Sequence, residues 1–134
     1  MDNALRNASV VPEDVDYINA HGTGTYHNDL METRAIKEVF GKTAYSVPVS
    51  STKSMIGHTL SASGILESIA TVLAIENDFF PPTINHETKD PNCDLDYVPN
   101  ISRGGKIDIA LSNGFAFAGQ NTCVVIKKWR KNKQ

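Results

Sequence analysis

The chain has 134 residues, of which 40% are hydrophobic, and its formal net charge is -2 at pH 7. This length fits one compact domain with a single core, and the small charge gives no general attraction to nucleic acid or to acidic membranes. The cysteines, Cys93 and Cys123, form no disulfide framework and no zinc motif, so we expect a reducing, cytoplasmic setting. Acidic residues interrupt the most apolar stretch, residues 60–80, so no membrane span is predicted.

Periodicity and turn signals predict alternating helices and strands along the chain. Helices are predicted at residues 2–8, 29–40 and 59–77. Strands are predicted at residues 15–19, 46–50, 107–111 and 122–127. Because a helix crosses between the first two strands, they should be parallel, whereas the last two should be antiparallel neighbours. The order predicts an α/β domain in layers.

Two of the predicted helices have informative local sequences. Asp29 and Glu32 have the spacing of a capping box, with Asp29 as the cap of the second helix. The helix over residues 59–77 is apolar over a wide arc, so we expect it to be buried on most sides.

A histidine motif follows each of the first two predicted strands. The first, residues 21–25, reads His-Gly-Thr-Gly-Thr, and the second, residues 51–58, reads Ser-Thr-Lys-Ser-Met-Ile-Gly-His. The carboxyl ends of two parallel strands lie at one edge of a sheet, so His21 and His58 can meet there. Two imidazoles at one place could bind a single oxygen atom.

The neighbours of these histidines leave two pairs of readings open. Thr23 and Thr25 suit hydrogen bonds to a long, amide-bearing thiol arm, or they satisfy backbone groups of their own loop. No P-loop spacing is present to bind phosphate. Glu67 in the third helix either pairs with Lys53 in a buried setting or lies on a narrow solvent-exposed stripe. His58 lies just before the predicted helix start, where the positive end of the helix dipole favours a neutral imidazole.

The remaining reactive or charged side chains have simpler interpretations. His27 and His86 are isolated in loops and are expected at the surface. Cys123 lies in a predicted strand without cationic neighbours, which indicates a small core residue and not a thiolate. The basic segment over residues 127–133 is expected to be a solvated chain end.

Taken in order and spacing, these motifs resemble the C-terminal part of β-ketoacyl-acyl-carrier-protein synthases, the condensing enzymes of fatty acid and polyketide synthesis. They are most similar to the type II elongating synthase. The likeness runs from residues 3–6 through both histidine motifs to residues 81–85 and 93–99. It implies a thiolase-like fold of two similar α/β halves, each with a five-stranded mixed sheet flanked by helices. Residues 1–134 would form the second half, with the N-terminal, cysteine-bearing half absent.

The resemblance also implies roles for individual residues. His21 and His58 would bind the thioester carbonyl of a malonyl unit and stabilise the enolate that forms as carbon dioxide leaves. Lys53 and Glu67 would orient these histidines. The substrate-binding residues would be Thr23 and Thr25, along the pantetheine arm, and Phe115 and Phe117, in a gating loop. Ala116 and Ala118 stand where the family usually has glycine, so this loop would stiffen if those positions need positive φ.

The predicted function is therefore that of the histidine-bearing half of a 3-oxoacyl-[acyl-carrier-protein] synthase, an acyltransferase for decarboxylative Claisen condensation with malonyl-acyl carrier protein. Because no nucleophilic cysteine is predicted, we expect no condensation by this chain alone. The expected partners are acyl carrier protein and an N-terminal half or partner chain, and exposed apolar surface should cause self-association. No cofactor or metal is expected, because the phosphopantetheine arm of the carrier protein brings the substrates.

Three matters stay open in the sequence. The chain could be a fragment of a synthase or one chain of a split enzyme. It could be a catalytically incomplete module that binds acyl carrier protein or a partner subunit. It could also resemble a degradative thiolase, although Cys123 is poorly placed for the catalytic cysteine that such an enzyme uses near its C-terminus.

Overall fold

The computed structural model describes residues 1–130, in which helices dominate up to residue 77 and four strands follow. Residues 131–133 of the predicted basic end lie outside it. The α-helices are α1 (Asp2–Ala8), α2 (Tyr26–Phe40), α3 (Lys53–Ile56) and α4 (Ser63–Asn77). The strands are β1 (Tyr17–Asn19), β2 (Val49–Ser50), β3 (Phe79–Phe80), β4 (Arg103–Gly104), β5 (Ile109–Ala116) and β6 (Gln120–Lys127).

The main sheet is mixed and has the strand order β2-β1-β5-β6. Strand β1 is parallel to both β2 and β5, and β5 pairs with β6 in antiparallel fashion. The predicted α/β fold and both predicted strand orientations are therefore confirmed. The described residues place four strands in this sheet, whereas the resemblance implied five. Strands β3 and β4 form a separate two-stranded ladder.

The strand β1 shows how the layers are divided. All three of its residues are fully buried, and successive side chains point to opposite faces of a strand. Ile18 therefore packs in the core that α1 and α2 cover, together with Leu5 and Ile36. Tyr17 lies in the second core, with Ala74 of α4. The side chain of residue 21, two positions beyond β1, is left at the carboxyl edge of the sheet.

The predicted helix over residues 59–77 is wrong at its start. The chain forms the short helix α3, then a turn, and α4 begins only at Ser63. Two residues of the turn have positive φ, 77° at Gly57 and 52° at Leu60. A right-handed helix cannot pass through residues in that conformation, so the histidine motif keeps its own loop.

The prediction that this helix is buried on most sides is also wrong for the described residues. Helix α4 buries Glu67, Thr71, Ala74 and Ile75 against the sheet. Its opposite side exposes five apolar residues, at 37–61% of their surface: Ile65, Leu66, Ile69, Val72 and Leu73. No helix within residues 1–130 has the length and apolar character that a membrane span needs.

The predicted capping box at the start of α2 is wrong as well. The helix begins at Tyr26, with Thr25 as its N-cap and no side-chain cap hydrogen bond. Glu32 lies inside the helix and is buried. Its carboxylate bonds to the loop that follows β1 and not to the helix start.

Candidate active site

The carboxyl edge of the parallel strands gathers the predicted site residues. His21 follows β1, Lys53 begins α3 directly after β2, and His58 lies in the turn before α4. Phe115 lies near the end of β5. Ligands of open α/β sheets bind at this edge, because the strands end there and the loops leave space.

The two imidazole rings lie side by side. Their centroids are 5.6 Å apart and their planes are nearly perpendicular, at 87°. The ring of Phe115 lies 5.4 Å from that of His21 on another side. His21 is buried and His58 is exposed. The structure thus brings together the two histidines that the sequence pairs.

The hydrogen-bond partner of His21 fixes its tautomer. Lys53 Nζ lies 3.3 Å from His21 Nδ1, and an ammonium group can only donate. Nδ1 therefore accepts, which leaves the N–H of the neutral ring on Nε2. Burial, then the Lys53 charge, then His58 lower the pKa of His21 to about 4. The ring is consequently a neutral donor at physiological pH.

Lys53 is held by the carboxylate of Glu67, to which it donates a buried hydrogen bond. Lys53 is 7% exposed and Glu67 1% exposed. This contact corresponds to the paired reading of Glu67 and not to the solvent-stripe reading. Burial raises the pKa of the Glu67 carboxyl, and the Lys53 ammonium opposes that shift. A buried charge needs such a partner, and the pair fixes the Lys53 ammonium beside His21 Nδ1.

His58 has a different set of partners with the same consequence. The backbone N–H of Leu60 lies 3.1 Å from His58 Nδ1, and the Ser63 hydroxyl lies 3.0 Å from the same atom. A backbone N–H can only donate, so Nδ1 accepts and the ring N–H is again on Nε2. Leu60 makes this contact from a left-handed conformation, which costs a non-glycine residue about 1 kcal/mol. Such strain is often found at functional sites.

Glu32 is a site residue that the capping-box interpretation missed. Its two carboxylate oxygens accept the backbone N–H groups of His21 and Gly22, each at 2.9 Å. Asn113 of β5 donates to the same carboxylate at 3.1 Å. Burial raises the pKa of Glu32, and these hydrogen bonds oppose the shift. Glu32 thereby fixes the backbone from which the His21 ring projects.

The close approach of the loop after β1 to Ser51 requires glycine at position 22. Its φ is 40°, and a Cβ atom there would lie 2.4 Å from Cβ of Ser51. The Ser51 hydroxyl donates to the carbonyl of Gly22 at 2.6 Å. This contact joins the two histidine-containing loops directly, so any side chain at position 22 would separate them.

Thr23 and Thr25 line a cavity whose lining includes neither His21 nor His58. Their hydroxyls are 2.8 Å apart, and the cavity, of about 550 Å³, lies between α2 and the loop after β3. His86 also lines this cavity and stacks on Tyr97 at 6.3 Å. His86 is thus half-buried, contrary to the surface position that we predicted. His27 is exposed, as predicted.

The hairpin of β5 and β6 places its two phenylalanines differently. Phe115 is half-buried against His21, whereas Phe117 is 98% exposed at the hairpin tip. Of the two alanines, Ala116 is extended, with φ of -137°, and Ala118 is left-handed, with φ of 60°. Only Ala118 therefore occupies a conformation that favours glycine, and it restrains the tip beside Phe117.

Neither cysteine is placed as a nucleophile at the imidazoles. Cys123 is half-buried in β6, and burial raises the pKa of its thiol, which disfavours a thiolate. Cys93 is half-buried at the wall of the cavity beside Thr23 and Thr25. Within residues 1–130, no three His, Cys, Asp or Glu side chains are grouped so that they could hold a metal ion.

The sequence and the fold match one family. Residues 1–87 match the model of the β-ketoacyl synthase C-terminal domain. The chain is 56% identical over 127 residues to 3-oxoacyl-[acyl-carrier-protein] synthase 2 of Synechocystis, and 55% identical over 128 residues to the protein of the same name from Coxiella burnetii. These alignments cover 95% and 96% of this chain but 30% and 31% of the two relatives.

Comparison with solved structures leads to the same family. One is the ketosynthase complex AntDE:AntF, with a TM-score of 0.94 and 43% identity over 96% of this chain and 32% of that chain. Another is a β-ketoacyl synthase from Burkholderia phymatum, with a TM-score of 0.88 and 37% identity over 95% of this chain and 31% of that one. The chain therefore belongs to the β-ketoacyl synthase family and corresponds to its C-terminal domain. It spans about 30% of the length of the curated relatives that it matches.

The depressed pKa of His21 predicts that the chain loses stability on acidification. Its folded-state pKa is about 4, whereas an unfolded histidine titrates near about 6.5. As the pH falls below about 6.5, the unfolded chain binds a proton that the folded chain does not, so the free energy of unfolding should decrease until about pH 4.

We expect urea denaturation across this pH range to show a shallower decrease in the free energy of unfolding for His21→Gln than for the wild type. The exposed His27→Gln should show the same decrease as the wild type. Burial raises the pKa values of Glu32 and Glu67, which acts in the opposite direction. The difference between wild type and variant therefore isolates His21. Parallel curves for both would contradict this assignment.

The contacts of Glu32 predict that replacing its carboxylate with an amide lowers the free energy of unfolding. In Glu32→Gln, one of the two backbone N–H groups would face an NH₂ group instead of an oxygen. The loss of a satisfied buried donor should lower the free energy of unfolding by about 1–3 kcal/mol. Chemical denaturation measures this loss, with Glu38→Gln on the exposed side of α2 as the matched control. Equal stability of the two variants would show that the carboxylate does not hold the loop.

Proposed function

We propose that this chain is the histidine-bearing domain of a 3-oxoacyl-[acyl-carrier-protein] synthase, which catalyses decarboxylative Claisen condensation in fatty acid or polyketide biosynthesis. The observation that supports it best is the pair of neighbouring imidazoles, each with its Nδ1 engaged by a donor. Two neutral rings that carry their protons on Nε2 form a pair of donors suited to one thioester oxygen.

The proposed reaction begins with a malonyl thioester on acyl carrier protein. The bond between its α-carbon and its carboxylate breaks, carbon dioxide leaves, and the electron pair passes into an enolate whose oxygen accepts hydrogen bonds from His21 and His58. Donors placed before the charge develops stabilise it without reorganisation. The α-carbon then attacks an acyl thioester, a carbon–carbon bond forms, and the thiolate leaves.

The acyl-bearing thiol belongs outside these 134 residues in this proposal. Cys123 has a raised pKa and lies in β6, and Cys93 lies at the wall of the neighbouring cavity. A cysteine-bearing N-terminal half, in the same polypeptide or in a partner chain, would supply the thiol. The setting would be cytoplasmic. The structure of AntDE:AntF, which holds an acyl carrier protein with its ketosynthase, supports the carrier protein as the substrate-bearing partner.

Decarboxylation tests the histidine pair without the thiol. Mixed with malonyl-acyl carrier protein, the chain should release carbon dioxide and leave the acetyl thioester, because protonation of the enolate completes the reaction. His21→Ala and His58→Ala each remove one enolate donor and should reduce release about 100-fold or more. His27→Ala, at an exposed histidine, is the matched control and should retain it. Released carbon dioxide from labelled malonyl thioester is the measurement.

The outcome also separates the proposal from its main alternative. No release by the wild type, either alone or with the N-terminal half of a relative added, would favour a module that only binds acyl carrier protein or a partner subunit. Release that survives His21→Ala or His58→Ala would place the chemistry elsewhere.

We further propose that a partner covers the exposed side of α4. That side presents five apolar residues in one face, from Ile65 to Leu73, while the opposite side packs on the sheet. Contiguous apolar surface on a helix marks an interaction site. The N-terminal half of the synthase or, in its absence, a second copy of this chain would bury this face.

The isolated chain should therefore self-associate through α4. Ile69→Lys places a charge in the middle of the face and should shift sedimentation velocity profiles toward the monomer. Val11→Lys is the control, because Val11 is equally exposed, at 53%, but precedes β1 in a different segment. A wild-type chain that sediments strictly as a monomer would contradict this proposal.

A further inference from the structure

Ser63 is a buried hydroxyl group at the point where the turn of His58 meets α4. It is the first residue of the helix and is 7% exposed. Its Oγ lies 3.0 Å from His58 Nδ1, 3.2 Å from the backbone N of Thr59 and 3.2 Å from Thr59 Oγ1. All three contacts are within hydrogen-bond distance.

The direction of each of these hydrogen bonds follows from its neighbours. The Leu60 N–H donates to His58 Nδ1 at 3.1 Å, so this nitrogen has no proton of its own. It cannot donate to Ser63. The Thr59 N–H can only donate to Ser63 Oγ. Ser63 Oγ and His58 Nδ1 are 3.0 Å apart, and only the Ser63 proton can lie between them, because Nδ1 carries none. With that proton used, the Thr59 hydroxyl is the donor in its contact with Ser63.

We propose that Ser63 is a positioning residue that holds His58 with Nδ1 as acceptor and its proton on Nε2. Its effect on catalysis rests on the function proposed above, whereas its effect on the imidazole does not. Two donors then meet one nitrogen, and only the ring proton on Nε2 is left to face a ligand.

Ser63 contributes something that the Leu60 N–H does not. Leu60 is 75% exposed and holds its N–H toward His58 from a left-handed backbone conformation. Ser63 belongs to a helix of 15 residues that is packed on the sheet. Because His58 itself is exposed, the serine hydroxyl is its link to a rigid and buried element. Loss of that hydroxyl should leave the ring free to turn.

Histidine-selective ¹⁵N labelling and magic-angle-spinning NMR measure the proposal directly, because the two ring nitrogens resonate differently with and without a proton. This method tolerates self-association, and His58→Asn assigns the signals. The wild type should show His58 with an unprotonated, hydrogen-bonded Nδ1. In Ser63→Ala the Nδ1 signal should shift and broaden, and Ser63→Thr should restore it. Ser68→Ala, which removes a hydroxyl from the same helix, should leave it unchanged.

Carbon dioxide release provides the second readout. It should decrease about two- to tenfold in Ser63→Ala, as for the loss of one hydrogen bond, and recover in Ser63→Thr. A proton on Nδ1 of wild-type His58 would overturn the proposal even if Ser63→Ala did not fold. Signals and rates unchanged in a folded Ser63→Ala would overturn it as well. The expected signals together with no release by any protein would refute the proposed function and leave the role of Ser63 intact.

Discussion

The site depends on donors that occupy the Nδ1 lone pair of each imidazole from within the protein. Lys53 donates to His21, and the Leu60 N–H and Ser63 donate to His58. A free histidine exchanges its proton between two nitrogens and gains charge near neutral pH. Here the donors occupy Nδ1 of each ring, so both rings present an N–H at Nε2. The enolate oxygen of the proposed reaction would accept hydrogen bonds from such donors, whereas a ring with Nε2 as the acceptor would repel it.

The buried ion pair between Lys53 and Glu67 adds little to stability by itself, because desolvation of two charges cancels much of their attraction. Its contribution is to hold the Lys53 ammonium at a fixed position. An ammonium group fixed against His21 Nδ1 can neither accept a proton nor move away, and its charge lowers the pKa of His21. Glu32 fixes the main chain of His21, because its carboxylate accepts the His21 backbone N–H. The orientation of one imidazole is thus set by two carboxylates, one through a cation and one through the main chain.

The sequence predicts the parts of this arrangement that depend on local pattern. Apolar runs gave the strands, and parallel pairing of β1 with β2 placed His21 and His58 at one edge of the sheet. The contacts that set the tautomers could not be predicted in this way. The spacing of Asp29 and Glu32 is equally typical of a helix cap, and only the packing of α2 under the end of β1 turns Glu32 to the loop. Likewise, nothing in a Gly-His-Thr-Leu sequence indicates that Leu60 adopts a left-handed conformation.

The incorrect prediction for α4 has a physical reason that bears on the whole protein. An apolar arc wider than one face predicts burial on most sides within a single domain. The sheet instead packs against a narrow side of the helix that includes Glu67 and Thr71, and the apolar arc remains exposed. Polar groups on the packed side make buried hydrogen bonds: Thr71 accepts from Asn19 of β1, and Glu67 holds Lys53, the partner of His21. The composition of α4 therefore reflects two different sides, one that packs on the sheet beside the site and one that stays exposed, which we propose a second polypeptide segment covers.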